Sequence, residues 1–425
     1  MKKQLFIAVT SLSLLALSGC GGDNTPHTKV NSDIKETEHT KAFFGDKESN
    51  SVVIADVDTM KLIGHVPTGH QITYTADHVK GQAKAYVVNR GSNAIDVLDT
   101  HNHSISKTIT LEHYPRSAES MNQKLGLCEV SGMDKAMASI IDMHSDEVIA
   151  VVGDSIPVDP KNNPNHGGSH ATGHPLWLDS KHFVLLDRYH RQVITYKIEK
   201  NAQNIWQVDK LSSVATTTSV HQIIPKKGNY QGDKSLFYGT AEGSDDAYPS
   251  LIEFKLTDKG LIQTRELSLQ AEGVDKKDMW LHHGDFHPTK KEIYVGSGDG
   301  TFFVVDYEKM SIVKKIKVGK GAGHTMFAPK KDLAIVINHK DTFVTIINTK
   351  TDEKIKDVTV SQRVNLVGKG TIQAHPKYFV SKDSRYFYAF VTSDGILYKM
   401  DLDTLSVVGN LDVGGKPAQG SFISH

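Results

Sequence analysis

Glu292-Ile293-Tyr294-Val295-Gly296-Ser297-Gly298-Asp299-Gly300-Thr301-Phe302-Phe303-Val304-Val305-Asp306 reads as two strands joined by a tight turn. The flanks are rich in β-branched and aromatic residues, and the Gly-Ser-Gly-Asp-Gly run between them supplies turn chemistry. The same phrase recurs along the chain. Asp306 is followed thirteen residues later by Gly319, Asp56 (closing Val52-Val53-Ile54-Ala55) by Gly69, and Asp401 (closing Leu397-Tyr398-Lys399-Met400) by Gly414. Asn348 to Ser361 and Asp99 to Glu112 keep that interval, and Asp142 to Gly153 is two shorter. From Asp56 to Asp99 and Asp142 the steps are 43 and 43, and from Asp306 to Asn348 and Asp401 they are 42 and 53. Two less regular units lie between, around Ile198 and Lys255.

Units of this length are those of a four-stranded propeller blade. The expected fold is therefore all-β: a single β-propeller over residues 42–425, with eight blades by repeat count and seven if one irregular unit is an insertion. The first unit lacks an innermost strand, because the chain enters it at Ala42-Phe43-Phe44. Gly420-Ser421-Phe422-Ile423-Ser424 is a spare strand able to fill that gap, which closes the ring and removes an open sheet edge.

The first residues carry two lysines, an apolar run from Leu5 to Leu17 and then Leu17-Ser18-Gly19-Cys20. This pattern is that of a bacterial lipoprotein signal over residues 1–19, with Cys20 as the lipidated residue and 20–41 as a polar tether. Gly21 and Gly22 follow instead of Asp, so the expected place is the periplasmic side of the envelope, anchored to the outer membrane by lipid alone. Lys+Arg and Asp+Glu are both 49, which leaves no basic field for nucleic acid. With Cys20 lipidated only Cys128 remains, so there is no internal disulfide, thiolate zinc motif or haem-attachment pair. Cys128, in Leu125-Gly126-Leu127-Cys128-Glu129-Val130, reads as a small buried hydrophobe.

Histidine recurs in phase with the repeats. His174, His283 and His324 each lie five residues before the Asp or Pro that opens a turn, and His70, His221 and His375 fill the same slot to within one residue. The first strand of a blade lines the central channel, so these six side chains are expected to converge on the axis as a metal site. Zinc is well served by imidazoles in tetrahedral geometry, and copper is the alternative on grounds of general affinity. Asn165-His166-Gly167-Gly168-Ser169-His170 makes a Gly-rich loop at the channel mouth, where His166 and His170 are either an accessory metal site or incidental surface residues. Asp245, Asp246 and Asp285 are candidate partners for ligating histidines, although exposed turn acids are the commoner outcome.

In Ser169-His170 through Trp177 and Asp179, Val220-His221-Gln222, Leu281-His282-His283-Gly284-Asp285-Phe286, and His375 followed by Phe387-Tyr388-Ala389-Phe390-Val391, the chain resembles the periplasmic zinc metallochaperones of the AztD type. The resemblance implies a propeller that binds zinc through axial histidines and hands it to the zinc solute-binding protein of an ABC transporter. By position, it implies His174, His221, His283 and His375 as ligands. The chain departs from that pattern in its lipobox and in a loop sparser in histidine. Nitrous-oxide reductase also gathers histidines from propeller blades, around copper, but this sequence has no paired cysteines for an electron-entry copper site. A non-enzymatic role is therefore expected. A metal-independent YVTN-like scaffold is the remaining reading, and it leaves the histidines unexplained.

Overall fold

Each repeat unit folds into one four-stranded antiparallel sheet, and the ring contains eight of them. The computed structural model describes residues 39–159, 170–278, 281, 283–375 and 378–424. Blades 2 to 8 occupy residues 73–110, 115–157, 176–215, 220–268, 284–317, 322–359 and 379–412 in chain order. The two irregular units are ordinary blades: Ile198 lies in the strand Gln192–Lys200 of blade 4 and Lys255 in Ser250–Thr257 of blade 5. Blade 1 is composite. Its outer strands are Thr40–Asp46, Ser51–Asp56 and Lys61–Pro67, and its innermost strand is the C-terminal Pro417–Ser424. Thr40 pairs with Ser424 and Ala42 with Phe422, so the ring closes as the sequence predicts.

Burial follows position in the blade. The middle strands are buried on both faces, as in Leu333–Asn338, because each sheet is sandwiched between two others. Phe43, Val52 and Ile54 of blade 1, for example, pack on Ala85, Val87 and Leu98 of blade 2. Each such side chain contributes on the order of 2 kcal/mol by leaving water. Polar ties cross the same seams: the Tyr86 hydroxyl of blade 2 donates to Asp146 of blade 3 at 2.6 Å, and Tyr294 of blade 6 donates to Asp352 of blade 7. The outermost strands alternate exposed and half-buried residues and carry lysines, as in Ser311–Lys317, which discourages edge-to-edge pairing. Helix is confined to three short 3₁₀ turns among the described residues, and none is long and apolar enough to cross a membrane. Cys128 is fully buried, and burial holds its thiol well above its ordinary pKa.

Closure depends on a close backbone approach at Gly420. A Cβ there would lie 1.8 Å from the Phe43 carbonyl oxygen. Gly420→Val is expected to open the seam between the first and last strands and to cost about 3 kcal/mol or more. A urea midpoint unchanged from the wild type would refute this account of closure.

Candidate metal centre

The innermost strands reach the axis with one residue too many for their ladders. In blade 2, Thr73 pairs with Asn89 and Thr75 with Val88, which leaves Tyr74 outside the pairing. The same slip frees Arg116 in blade 3 and His221 in blade 5. A second slip between Ser117 and Ser120 loosens the backbone around Glu119. Bulges of this kind re-aim a side chain, and here they aim it down the channel. In blade 4, His174 lies ahead of the short strand Leu176–Trp177, and its N–H donates to the His221 carbonyl of the next blade at 2.8 Å. Gly173 permits that approach, since a Cβ there would stand 2.5 Å from the same carbonyl oxygen.

Six imidazoles meet as two adjoining triads. His174, His221 and His283 are all buried, and each offers a ligand nitrogen within 4.8 Å of the others; His324, His339 and His375 form the second such group. Within the first triad the ring centroids are 4.7 to 5.1 Å apart. Within the second they are 4.7 to 5.6 Å apart. The triads touch where His283 and His324 lie 3.7 Å centroid to centroid. A cavity of about 300 Å³ opens onto them, lined in part by Glu119, His174, His283, His324, His375 and Gln419.

A second set of axial residues follows the second strand of several blades. Arg90, Arg188, Glu242 and His339 each donate a backbone N–H to a carbonyl two or three residues ahead of the axial residue of their own blade. These residues, with Arg116 and Glu119, set the electrostatics. Glu242 accepts from His221 Nδ1 at 2.7 Å and from Arg188 Nη2, while Glu119 accepts from His174 Nδ1. Carboxylates on Nδ1 fix the tautomer and turn Nε2 inward as the ligating nitrogen. Arg116 Nη2 donates to His221 Nε2 at 3.1 Å, so a metal on this triad requires that guanidinium to shift. In the second triad His339 Nδ1 donates to the Gln373 carbonyl at 3.1 Å, and His375 Nδ1 is hydrogen-bonded to the Tyr74 hydroxyl at 3.1 Å.

The surroundings keep imidazole neutral, which is its ligating form. Burial, reinforced by the Arg116 charge and opposed by Glu119, pushes His174 down to about 4. Burial pushes His339 down to about 4 as well, against the Gln373 carbonyl. His170 is lowered by burial and then by Arg116, Arg90 and Arg188.

Of the histidines expected on the axis, the structure brings together His174, His221, His283, His324 and His375. His70 is not among them. It lies in the turn before the strand Thr73–His78, with Nε2 3.4 Å from Asp96, and Tyr74 takes the axial place in its blade. His339 completes the set and was not anticipated; the phase of the second-strand exit, repeated in Arg90, Arg188 and Glu242, is the signal that marks it. His170 is half-buried beside the arginines, with its carbonyl accepting from Arg188 Nη1 at 3.4 Å. His166, His282 and Cys20 lie outside the described residues. Asp245 and Asp246 are exposed and pair with Lys277 and Arg191. Asp285 is largely buried and lies 3.6 Å from Lys227. The carboxylates that back the histidines are instead Glu119 and Glu242.

No protein-family model matches the chain, and no curated protein matches it in sequence. Solved structures do match its fold. Apo AztD from Citrobacter koseri superposes with a TM-score of 0.58 at 11% identity, over 91% of this chain and 99% of that one. The dihydro-heme d1 dehydrogenase NirN, in complex with DHE, gives 0.65 at 13% identity, over 91% and 75%. BamB from Moraxella catarrhalis gives 0.55 at 10%, over 81% and 88%. The chain is thus an eight-bladed propeller of the architecture these proteins share, and AztD is among its structural likenesses.

Because His174 and His339 stay neutral in the fold to about 4, while unfolded histidines take up protons near 6.5, the native state binds fewer protons between those values. Stability of the metal-free protein should therefore be full above about pH 6.5 and fall as pH drops toward 4, by up to about 3 kcal/mol per histidine. Urea midpoints across that range check this. His339→Gln should flatten the slope, and an equally steep slope in that variant would count against the assignment.

Proposed function

We propose that this chain is a zinc-binding propeller of the bacterial cell envelope, held by a lipid on Cys20, which takes zinc on its axial histidines and passes it to the solute-binding protein of a zinc uptake system. The observation that carries the reading is the pair of histidine triads, the first buried and the second half-buried around a buried His339, each with three nitrogens within 4.8 Å, in contact through His283 and His324. Three imidazoles make an open tetrahedral site whose fourth position remains for water or an incoming ligand. Without a thiolate, such a site exchanges its ion stepwise. The AztD likeness supports the fold of such a protein, and the histidines of this chain supply the chemistry.

The two triads should differ in affinity. In the first triad Arg116 stands on His221, whereas His339 and His375 of the second are hydrogen-bonded to the Gln373 carbonyl and the Tyr74 hydroxyl. A dication beside Arg116 meets like charge, so the first ion should go to the second triad. Since His174 and His339 are already neutral near pH 5, the loss of binding expected near 6.5 for free imidazole should shift to more acid pH.

Elemental analysis of chelator-treated protein reloaded with zinc or copper, followed by calorimetric titration, tests this reading. His339→Ala should weaken the tightest zinc step at least tenfold, about 1.4 kcal/mol, and His174→Ala should affect mainly a weaker step. Several coppers per chain with visible absorption would favour a copper centre instead. No bound metal, or titrations unchanged in both variants, would overturn the proposal.

A further inference from the structure

Arg116 carries more hydrogen-bonding capacity than the protein satisfies. Its side chain is 2% exposed, and Nη2 alone is engaged, on His221 Nε2 at 3.1 Å. Nε and Nη1 are buried with no partner. A guanidinium cannot shed this demand by losing its proton at neutral pH, and each unmet buried donor costs roughly 1–3 kcal/mol.

The surrounding charge has the same sign. Arg90 and Arg188 both act on Arg116, and with burial as the larger cause they push it down to about 9, against Glu119 and Glu242. Those two carboxylates are already engaged: Glu242 holds Arg188 and His221, and Glu119 holds His174 with Gln419 Nε2 at 3.4 Å. Arg90 stacks on the Tyr74 ring, 3.2 Å from its centroid, and its Nε donates to the Arg116 carbonyl at 3.0 Å. Glu119 and Glu242 thus serve three guanidinium groups, with Asp77 acting on Arg90 as well, and the Nε and Nη1 donors of Arg116 stay unmet.

We propose that Arg116 holds a small oxyanion in the axial channel, bound on a guanidinium edge that His221 leaves open, beside the His174–His221–His283 triad. Nη2 gives one of its two N–H groups to His221, so its other N–H and that of Nε or Nη1 on the same edge remain as a parallel pair. Such an edge matches two oxygens of a carboxylate, carbonate or phosphate, and charge-assisted pairs of this kind are roughly twice as strong as neutral hydrogen bonds. The anion offsets the guanidinium charge and meets donors that the protein leaves unmet. The site itself needs no metal. Its consequence for metal rests on the function proposed above: an anion next to the first triad screens Arg116 from a dication and offers an oxygen to the open fourth position.

The test is calorimetric titration of chelator-treated, chloride-exchanged protein with inorganic phosphate, bicarbonate and acetate in separate arms. Chloride at matched ionic strength is the control, and Arg116→Gln, Arg116→Lys and the exposed-site control Arg363→Gln are compared with the wild type. At least one oxyanion should bind the wild type saturably with one-to-one stoichiometry, and the arm that responds identifies its class. Affinity should fall at least tenfold in Arg116→Gln, fall less in Arg116→Lys, and hold in Arg363→Gln. Should Arg116→Gln misfold, Arg116→Lys and the oxyanion-over-chloride selectivity of the wild type decide the matter. No saturable binding tighter than about 1 mM, or equal binding in the Arg116 variants, would overturn the proposal. Repeating the titrations on zinc-loaded protein separates the readings: anion binding without any zinc binding leaves the anion site standing and removes the metal function.

Discussion

Everything at the axis of this propeller depends on one constraint: the innermost strands converge on a space where side chains can satisfy one another but are largely cut off from water. The ladder slips that release Tyr74, Arg116 and His221 put polar groups into that space and take them out of sheet pairing. Once there, each must find its partner across the ring. His174 does so on Glu119 of blade 3, His221 on Glu242 of its own blade, and His375 on Tyr74 of blade 2. Arg188 shares Glu242 with His221, so the carboxylate that orients an imidazole also neutralises a buried cation. These links tie the blades together at the centre as the apolar seams do further out.

That balance explains why His174 is neutral. A protonated His174 would add charge to a region already holding Arg90, Arg116 and Arg188, and desolvation alone opposes it. The ring is accordingly divided. Blades 4 to 8 bring imidazole to the axis, while blades 1 to 3 bring Gln419, Tyr74, Arg116 and Glu119. The charged groups crowd the His174–His221–His283 side, and the His324–His339–His375 side is backed by a carbonyl and a phenol. Two triads built from one residue type therefore differ through their neighbours.

The fold was legible in the sequence because its strands repeat a local pattern: apolar alternation, a turn rich in Gly and Asp, and a small residue thirteen positions on. That pattern survives irregular loops, which is why the units around Ile198 and Lys255 were recognisable as blades. The site was legible only where residue type and slot repeat together, as they do for His174, His221, His283, His324 and His375. His70 misled because the loop before blade 2 adds residues, with Gly69 and Ile72 both at positive φ, so that the strand begins at Thr73 and its axial place falls to Tyr74. His339, Glu242, Arg90 and Arg188 share a slot but not a residue type, and a search for one recurring side chain passes over them. Glu119 depends on a ladder irregularity that no periodicity announces.

Likeness of fold does not choose among chemistries here. AztD, NirN and BamB carry different names on one architecture, and identities of 10 to 13% leave the axial residues of this chain to speak for themselves. What they present is an unbroken path of ring contacts from His221 and His174 through His283 and His324 to His375 and His339. A scaffold with no ligand gains nothing from six imidazoles gathered on its axis, four of them buried: two are held neutral against their ordinary pKa, and that shift is a cost to stability in acid. Such a cost is offset when something that binds only the neutral form occupies the site. A metal ion would do that, and the two ligands proposed for the axis answer neighbouring demands, those of the gathered imidazole nitrogens and of the unmet Arg116 donors.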